Sequence, residues 1–259
     1  MSARALNLLQ CKHESLWTDW FVSSESTIDS QWEEYIWPLV SNFDFTQVLE
    51  LSPGGGRNTV RLCEVAISIV AVDYNAYALD KCRAKLGNKY LGCVLDYRKN
   101  NGFDLRMIPT NSVTAIYCWD SAVHFEKSVL DSYIREFSRI LAVGGRGFLN
   151  HSTLGNAAQN NIKNNPGWRS NVSKVFAAQS CESAGLAILN HIDIPRRKTN
   201  SSEIRFFDAA LVFEKKTKII RFLVIDSIYN KDVLVSYALL PKPYFSALLQ
   251  TYLHSSSLN

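Results

Sequence analysis

The sequence predicts an α/β fold: a mostly parallel sheet with helices on both faces, ended by an antiparallel pair of strands. Three observations carry this. Residues 48–58, VLELSPGGGRN, run from apolar Val48, Leu49 and Leu51 into three consecutive glycines, Gly54, Gly55 and Gly56. Such a run reads as a buried strand turning sharply into a helix. Strand-like and helix-like stretches then alternate over about residues 45–215, the pattern of parallel strands joined by helical crossovers. Two strand-like runs at about 187–194 and 204–213 finally follow one another directly, which suggests a closing antiparallel hairpin.

The first strand spans about 47–51, and a helix follows over about 58–65. Glycines in the intervening loop tolerate positive φ and lack a Cβ, so backbone amides can approach a ligand closely. The helix start adds unpaired N–H groups and the positive end of a dipole. A nucleotide-like ligand is expected here. The second strand, about 68–73, ends in Asp73, nineteen positions after Gly54. An acid at that place can accept hydrogen bonds from two ribose hydroxyls. Its alternative is to cap the helix expected from about residue 76 to 84. The third strand, about 90–95, is followed by Asp96 and Tyr97.

The fourth strand, about 113–118, leads into Trp119, Asp120 and Ser121, with His124 and Glu126 on the next turn. A helix over about 127–141 places Leu130, Ile134, Phe137 and Leu141 at helical spacing and is expected to stop at the glycine cap Gly144-Gly145. The fifth strand, about 147–150, precedes His151, Ser152 and Thr153. If both strands are parallel neighbours, His124 and His151 reach one rim, and either imidazole suits removal of a hydroxyl proton. Residues 154–173 are rich in Asn, Gly and Ser and too long for a plain connector. They hold Trp168, a stacking surface, and Arg169, a forked cation suited to an anionic group. A helix over about 174–184 ends at Gly185.

Three segments follow from this reading: 1–44, an N-terminal helical lid or cap; 45–215, the α/β domain; and 216–259, an extension. In the first, a helix is expected over about 31–40, with Ser30 and Glu33 in capping-box spacing and Trp32, Tyr35 and Trp37 packing on the body or covering a pocket. The extension reads as strands at about 218–226 and 232–240 and a helix at about 243–253. Dimerisation or cover for a sheet edge is its expected role.

Composition excludes several classes. The formal charge of +4 is mild, and the clusters Arg196-Arg197-Lys198 and Lys215-Lys216 are short, so no nucleic-acid partner is expected. No apolar run reaches the roughly 18–20 residues of a membrane span. The first residues lack a signal-peptide pattern, and a cytoplasmic protein is expected. None of the six cysteines forms C-x-x-C, which argues against zinc and a disulfide framework; buried reduced thiols and no metal are expected.

The spacing of Glu50, Ser52, Gly54 and Gly56 resembles motif I of class I S-adenosylmethionine (SAM) dependent methyltransferases, with Ser52 at the usual first glycine. The third glycine of a dinucleotide G-x-G-x-x-G is replaced by Thr59. The stretch IYCWDSAVHFE resembles motif IV, and SRILAVGGRGFLNHS the helix-loop-strand after it. With NPGWRSNVS, these segments look like a bacterial subgroup acting on sugars or secondary metabolites. The resemblance implies a Rossmann-like seven-stranded sheet with its last strand reversed. It implies SAM as cofactor, bound by Glu50, Ser52, Pro53, Gly54, Gly56, Asn58, Asp73, Tyr74, Asp96, Tyr97, Cys118 and Trp119. Asp96 would face the adenine amino group. Catalysis would fall to His151, His124 and Asp120, and a small hydroxylated acceptor to Trp168, Arg169 and His151. The alternatives are a nicotinamide-dependent oxidoreductase, for which Tyr77 and Lys81 are the misplaced Tyr-x-x-x-Lys pair, and a non-catalytic scaffold of the same fold.

Overall fold

The computed structural model describes residues 28–158, 165, 168–197, 204–217, 220–226 and 231–237. The chain divides into two units, one through Lys215 and one from Lys216. The described residues of the larger unit begin with α1 (Ile28–Gln31), a π-helical stretch (Trp32–Ile36) and α2 (Trp37–Val40). Pro38 lacks the N–H that an α-helical turn would use, and the widened turn, in which the Trp37 N–H reaches the Trp32 carbonyl, accommodates it. Ser30 lies inside α1, so the expected capping box is not the helix start.

The parallel strands are β1 (Gln47–Leu51), β2 (Ser68–Asp73), β4 (Cys93–Lys99), β5 (Val113–Cys118) and β6 (Leu141–Ser152). The helices between them are α3 (Arg57–Cys63), α4 (Ala76–Leu86) and α5 (Lys127–Ile140); α6 (Lys174–Ser183) follows β6. β7 (Leu186–Arg197) and β8 (Ile204–Lys215) form the closing hairpin, with β8 inserted antiparallel between β6 and β7. The two-residue β3 (Lys89–Tyr90) adds an eighth strand at the far edge, giving the order β3-β4-β2-β1-β5-β6-β8-β7. Without β3 this is the expected seven-stranded sheet with its last strand reversed.

One face of the sheet packs against α5 and α6 through Leu130, Ile134, Phe137, Ala177 and Cys181. The other packs against the N-terminal helices, α3 and α4 through Trp32, Ile36, Leu62 and Cys82. Strand order reverses between β1 and β5, so a crevice opens at the carboxyl ends of these two strands, where ligands of open α/β sheets bind.

Two boundaries differ from expectation. The third parallel strand runs to Lys99, leaving Asp96 and Tyr97 inside it. No glycine cap ends α5: β6 begins at Leu141, and Gly144, at φ +80°, turns an excursion between the pairs Val113–Leu141 and Ala115–Arg146. Strand pairing to β5 takes over the chain directly after the helix.

The second unit holds the antiparallel pair β9 (Ile220–Asp226) and β10 (Lys231–Tyr237), from Lys231–Asp226 to Tyr237–Ile220. The helix expected at about 243–253 lies outside the described residues. Cys63, Cys82, Cys93, Cys118 and Cys181 are buried free thiols; Cys11 is outside the described residues. Among the described residues no helix is long and apolar enough to cross a membrane.

Candidate functional site

The loop after β1 is built on left-handed backbone at Ser52 (φ +60°), Gly54 (φ +57°) and Gly56 (φ +87°). The Ser52 N–H donates to the Val72 carbonyl at 2.7 Å, tying the loop to β2. A Cβ on Gly56 would meet Cys82 Sγ at 2.9 Å, so only glycine lets the loop lie this close to α4. Pro53, within the loop, is buried.

Two buried carboxylates stand behind this loop. Asp73 accepts the backbone N–H of Asn75 at 2.9 Å and those of Gly54 and Tyr74. Burial still pushes its pKa up to about 6. The glycine loop and the acid at the end of β2 are therefore one hydrogen-bonded unit. Glu50 accepts the Thr59 hydroxyl at 2.7 Å, and burial pushes it up to about 8.

The end of β4 abuts Asp73. The Asn100 N–H donates to the Asp73 carbonyl at 3.0 Å. Asn100 is buried and donates to the Tyr133 hydroxyl at 2.8 Å, while exposed Phe103 follows on the same turn. A Cβ on Gly102 would touch the Tyr74 ring at 3.4 Å, which places Tyr74 against this turn. Asp96 is elsewhere: it sits mid-strand, exposed, paired with Arg98 at 2.7 Å, and Tyr97 donates to the Gly87 carbonyl at 2.7 Å. The residues at the third strand's end are Asn100 to Phe103. Their signal in the sequence was the Asn-Asn-Gly turn.

Asp120 centres the other half of the crevice. It takes φ +58°, its N–H donates to Asn150 Oδ1 at 2.7 Å, and Arg57 reaches its Oδ2 at 2.5 Å. Arg57 and Asn150, both buried, were missed as partners of the site. Asn58 is turned to the Tyr117 hydroxyl at 3.1 Å, and Cys118 is a core thiol pushed up to about 12 by burial. Trp119 is buried, stacked on Phe148 at 5.7 Å, and donates to Gln31 of α1 at 3.1 Å. These three frame the crevice from within the core.

The two histidines part company. His124 is half-buried in the turn after β5, among Asp120, Arg169 and Asp208. Its Nδ1 lies 3.1 Å from the Trp168 carbonyl. A carbonyl only accepts, so the proton of the neutral ring is on Nδ1 and Nε2 carries the lone pair. Burial, and then the Arg169 charge, lower its pKa against the opposing pull of the Trp168 carbonyl. His151 is fully buried. Its Nδ1 meets the Ser152 carbonyl at 2.7 Å and its Nε2 meets His191 Nε2 at 2.8 Å, so neither nitrogen opens onto the rim. The shared rim expected for His124 and His151 is not formed. Arg169 directs Nε and Nη2 to the two oxygens of buried Asp208, each at 2.8 Å, which neutralises the fork expected for an anionic acceptor.

A sheet of this order, with a glycine loop at its switch point and an acid ending the next strand, is the class I SAM-dependent methyltransferase fold. Residues 48–145 match the family model described as a methyltransferase domain. No curated protein sequence matches the chain. Among solved structures it is similar to the geranyl diphosphate C-methyltransferase of Streptomyces coelicolor A3(2), solved with Mg2+, geranyl diphosphate and S-adenosyl-L-homocysteine (SAH) (15% identity, 72% of this chain and 77% of that one, TM-score 0.59). It is also similar to a SAM-dependent methyltransferase of Mesorhizobium loti (12%, 68% and 94%, TM-score 0.56). A [4+2]-cyclase is as similar (16%, 74% and 80%, TM-score 0.55), so the fold by itself does not name the reaction.

Proposed function

We propose that the chain is a cytoplasmic SAM-dependent methyltransferase that methylates a hydroxyl of a small uncharged acceptor, a sugar or secondary metabolite, with His124 as general base. The observation that carries the reading is Asp73, a buried carboxylate bonded to the Gly54 N–H at the switch point of the sheet. In this reading Asp73 accepts the ribose hydroxyls, the amides after Ser52 line the donor, and the Asn100–Phe103 turn takes the adenine end in place of Asp96. The donor supplies a sulfonium-bound methyl already activated for in-line displacement, so the chain mainly orients the partners and excludes water. With the donor bound, His124 Nε2 would take the hydroxyl proton as the acceptor oxygen receives the methyl group from the sulfonium, which would leave as the neutral thioether. Arg57 with Asp120, and Arg169 with Asp208, leave the rim with paired charges, which suits a neutral acceptor.

The nicotinamide reading loses support because Tyr77 and Lys81 lie on α4, with the Lys81 ammonium 5.2 Å from the Tyr77 ring centre. We assign residues 216–259 to self-association; the β9–β10 pair is a two-stranded ribbon, marginal alone in water. Thermal unfolding with ligands tests the cofactor. SAH at about 100 times its Kd should raise Tm by roughly 5–10 °C, NAD should not, and Asp73→Ala should remove most of the rise. No rise with SAH, or an equal rise with NAD, overturns the proposal.

A further inference from the structure

We propose that the buried Arg169–Asp208 pair is a positioning device for His124: it anchors the chain at Trp168 so that the Trp168 carbonyl holds the imidazole in the tautomer with a free lone pair on Nε2. The inference rests on the reading of His124 as base. It concerns how that base is kept competent.

A neutral imidazole has one N–H, and the group facing one nitrogen decides which carries it. Here that group is a single backbone carbonyl 3.1 Å from Nδ1. Trp168 offers it from a left-handed backbone, φ +48°, uncommon for a bulky residue and persistent only where the surroundings enforce it. The surroundings do so on both sides. Buried Asn165 brackets the segment: its carbonyl accepts the Trp168 N–H at 3.0 Å, its Oδ1 accepts the Arg169 N–H at 2.8 Å, and its Nδ2 donates to the Arg169 carbonyl at 2.7 Å. The Ser170 N–H then donates at 2.9 Å to the carbonyl of Val123, the residue before His124. Ser152, at the end of β6, donates its hydroxyl to the Ser170 carbonyl at 2.7 Å.

The anchor with charge in it is Arg169. Its two parallel bonds to Asp208 fix the guanidinium plane, and Asp208 is fully buried on β8. Removing one partner would take from the other its two charge-assisted bonds within a buried site, so the segment would shift to restore them. The carbonyl would then leave Nδ1, and the proton would distribute over both nitrogens. The charged groups facing the ring are Arg169, Asp120 and Asp208, and the intact pair keeps the first and last at fixed distance from it.

The test needs no acceptor. In protein labelled with 15N-histidine, long-range 1H–15N spectra at pH 8 report the tautomer of each ring, with His124 assigned by its loss in His124→Gln. The wild type should show His124 as the Nδ1–H tautomer alone. Asp208→Asn and Arg169→Gln should turn that signature into a mixture, and Arg169→Lys, which keeps the charge without the fork, should restore it in part. SAH titration on the same samples separates the two readings. Variants that bind SAH like the wild type yet lose the pure tautomer support the device. A wild type carrying Nε2–H, or a tautomer unchanged in variants that bind SAH, overturns it. Absence of SAH binding in the wild type would defeat the cofactor reading and leave the tautomer result standing by itself.

Discussion

Asp73 sits under a proton balance that a ribose must disturb. Burial lifts its pKa to about 6 although three backbone N–H groups already favour the charged form. Ribose hydroxyls donating to the carboxylate would stabilise its anion further, so donor binding expels the proton wherever the free protein holds it. SAH affinity should therefore be flat above about pH 6.5 and fall below about 6, by up to tenfold per pH unit. Asp73→Asn should weaken binding and remove this pH dependence, which calorimetric titration between pH 5 and 8 will read. An affinity independent of pH in the wild type would take Asp73 out of the ribose role. His124 and His151 teach the same lesson about environment. In the sequence both are histidines just past a strand; in the fold one lies among three charged side chains and the other is locked between a carbonyl and His191.

At the scale of elements, β6 and β8 are pressed together at Gly147. A Cβ there would lie 2.2 Å from two carbons of the Phe213 ring, and that ring is fully buried and stacked on Phe137 at 6.0 Å. Neither ring has room to retreat. Gly147→Ala should cost about 1–3 kcal/mol of stability, seen as a lower urea midpoint, and an unchanged midpoint would mean the strands part more easily than their packing implies. The elements themselves were largely readable, because inner parallel strands are continuous apolar runs such as 68–73 and 113–118. The errors have local causes. β4 continues past Leu95 with polar residues because little but the two-residue β3 lies outside it, so Asp96 and Arg98 meet solvent within a strand. Gly144 after a helical pattern carries the same signal as a helix cap, and only its pairing partner β5 decides otherwise. The glycine loop, Asp73 and Asp120 were visible as residues at strand ends; Arg57 and Asn150 were not, since nothing in the chain order links them to Asp120.

For the whole molecule, the buried titratable groups set two opposing slopes of stability with pH. His151 and His191 are both pushed down to about 4, first by burial. Their contribution is complete above their ordinary value of 6.5 and is lost as pH falls through about 4, because the unfolded chain takes up protons that the fold refuses. Glu50 works the other way. Its folded value of about 8 lies above an ordinary 4.5, so its contribution is complete below 4.5 and is lost as pH rises through 8. Asp73 adds the same slope up to about 6. Between about 4.5 and 6 the two sets oppose one another. From about 6.5 to 8 the buried histidines have finished and Glu50 alone among the described buried groups titrates, ahead of the buried thiols of Cys82 and Cys118, which hold their protons to about 12. Without ligand, Tm should therefore decline from pH 6.5 to 8. Glu50→Gln keeps an oxygen to accept the Thr59 hydroxyl but carries no titrating proton, and should flatten that decline and, by removing the opposing slope, steepen the acid limb between about pH 6 and 4.5. Thermal scans of both proteins across this range measure it, and parallel curves above pH 6.5 would show that Glu50 is ionised within the fold.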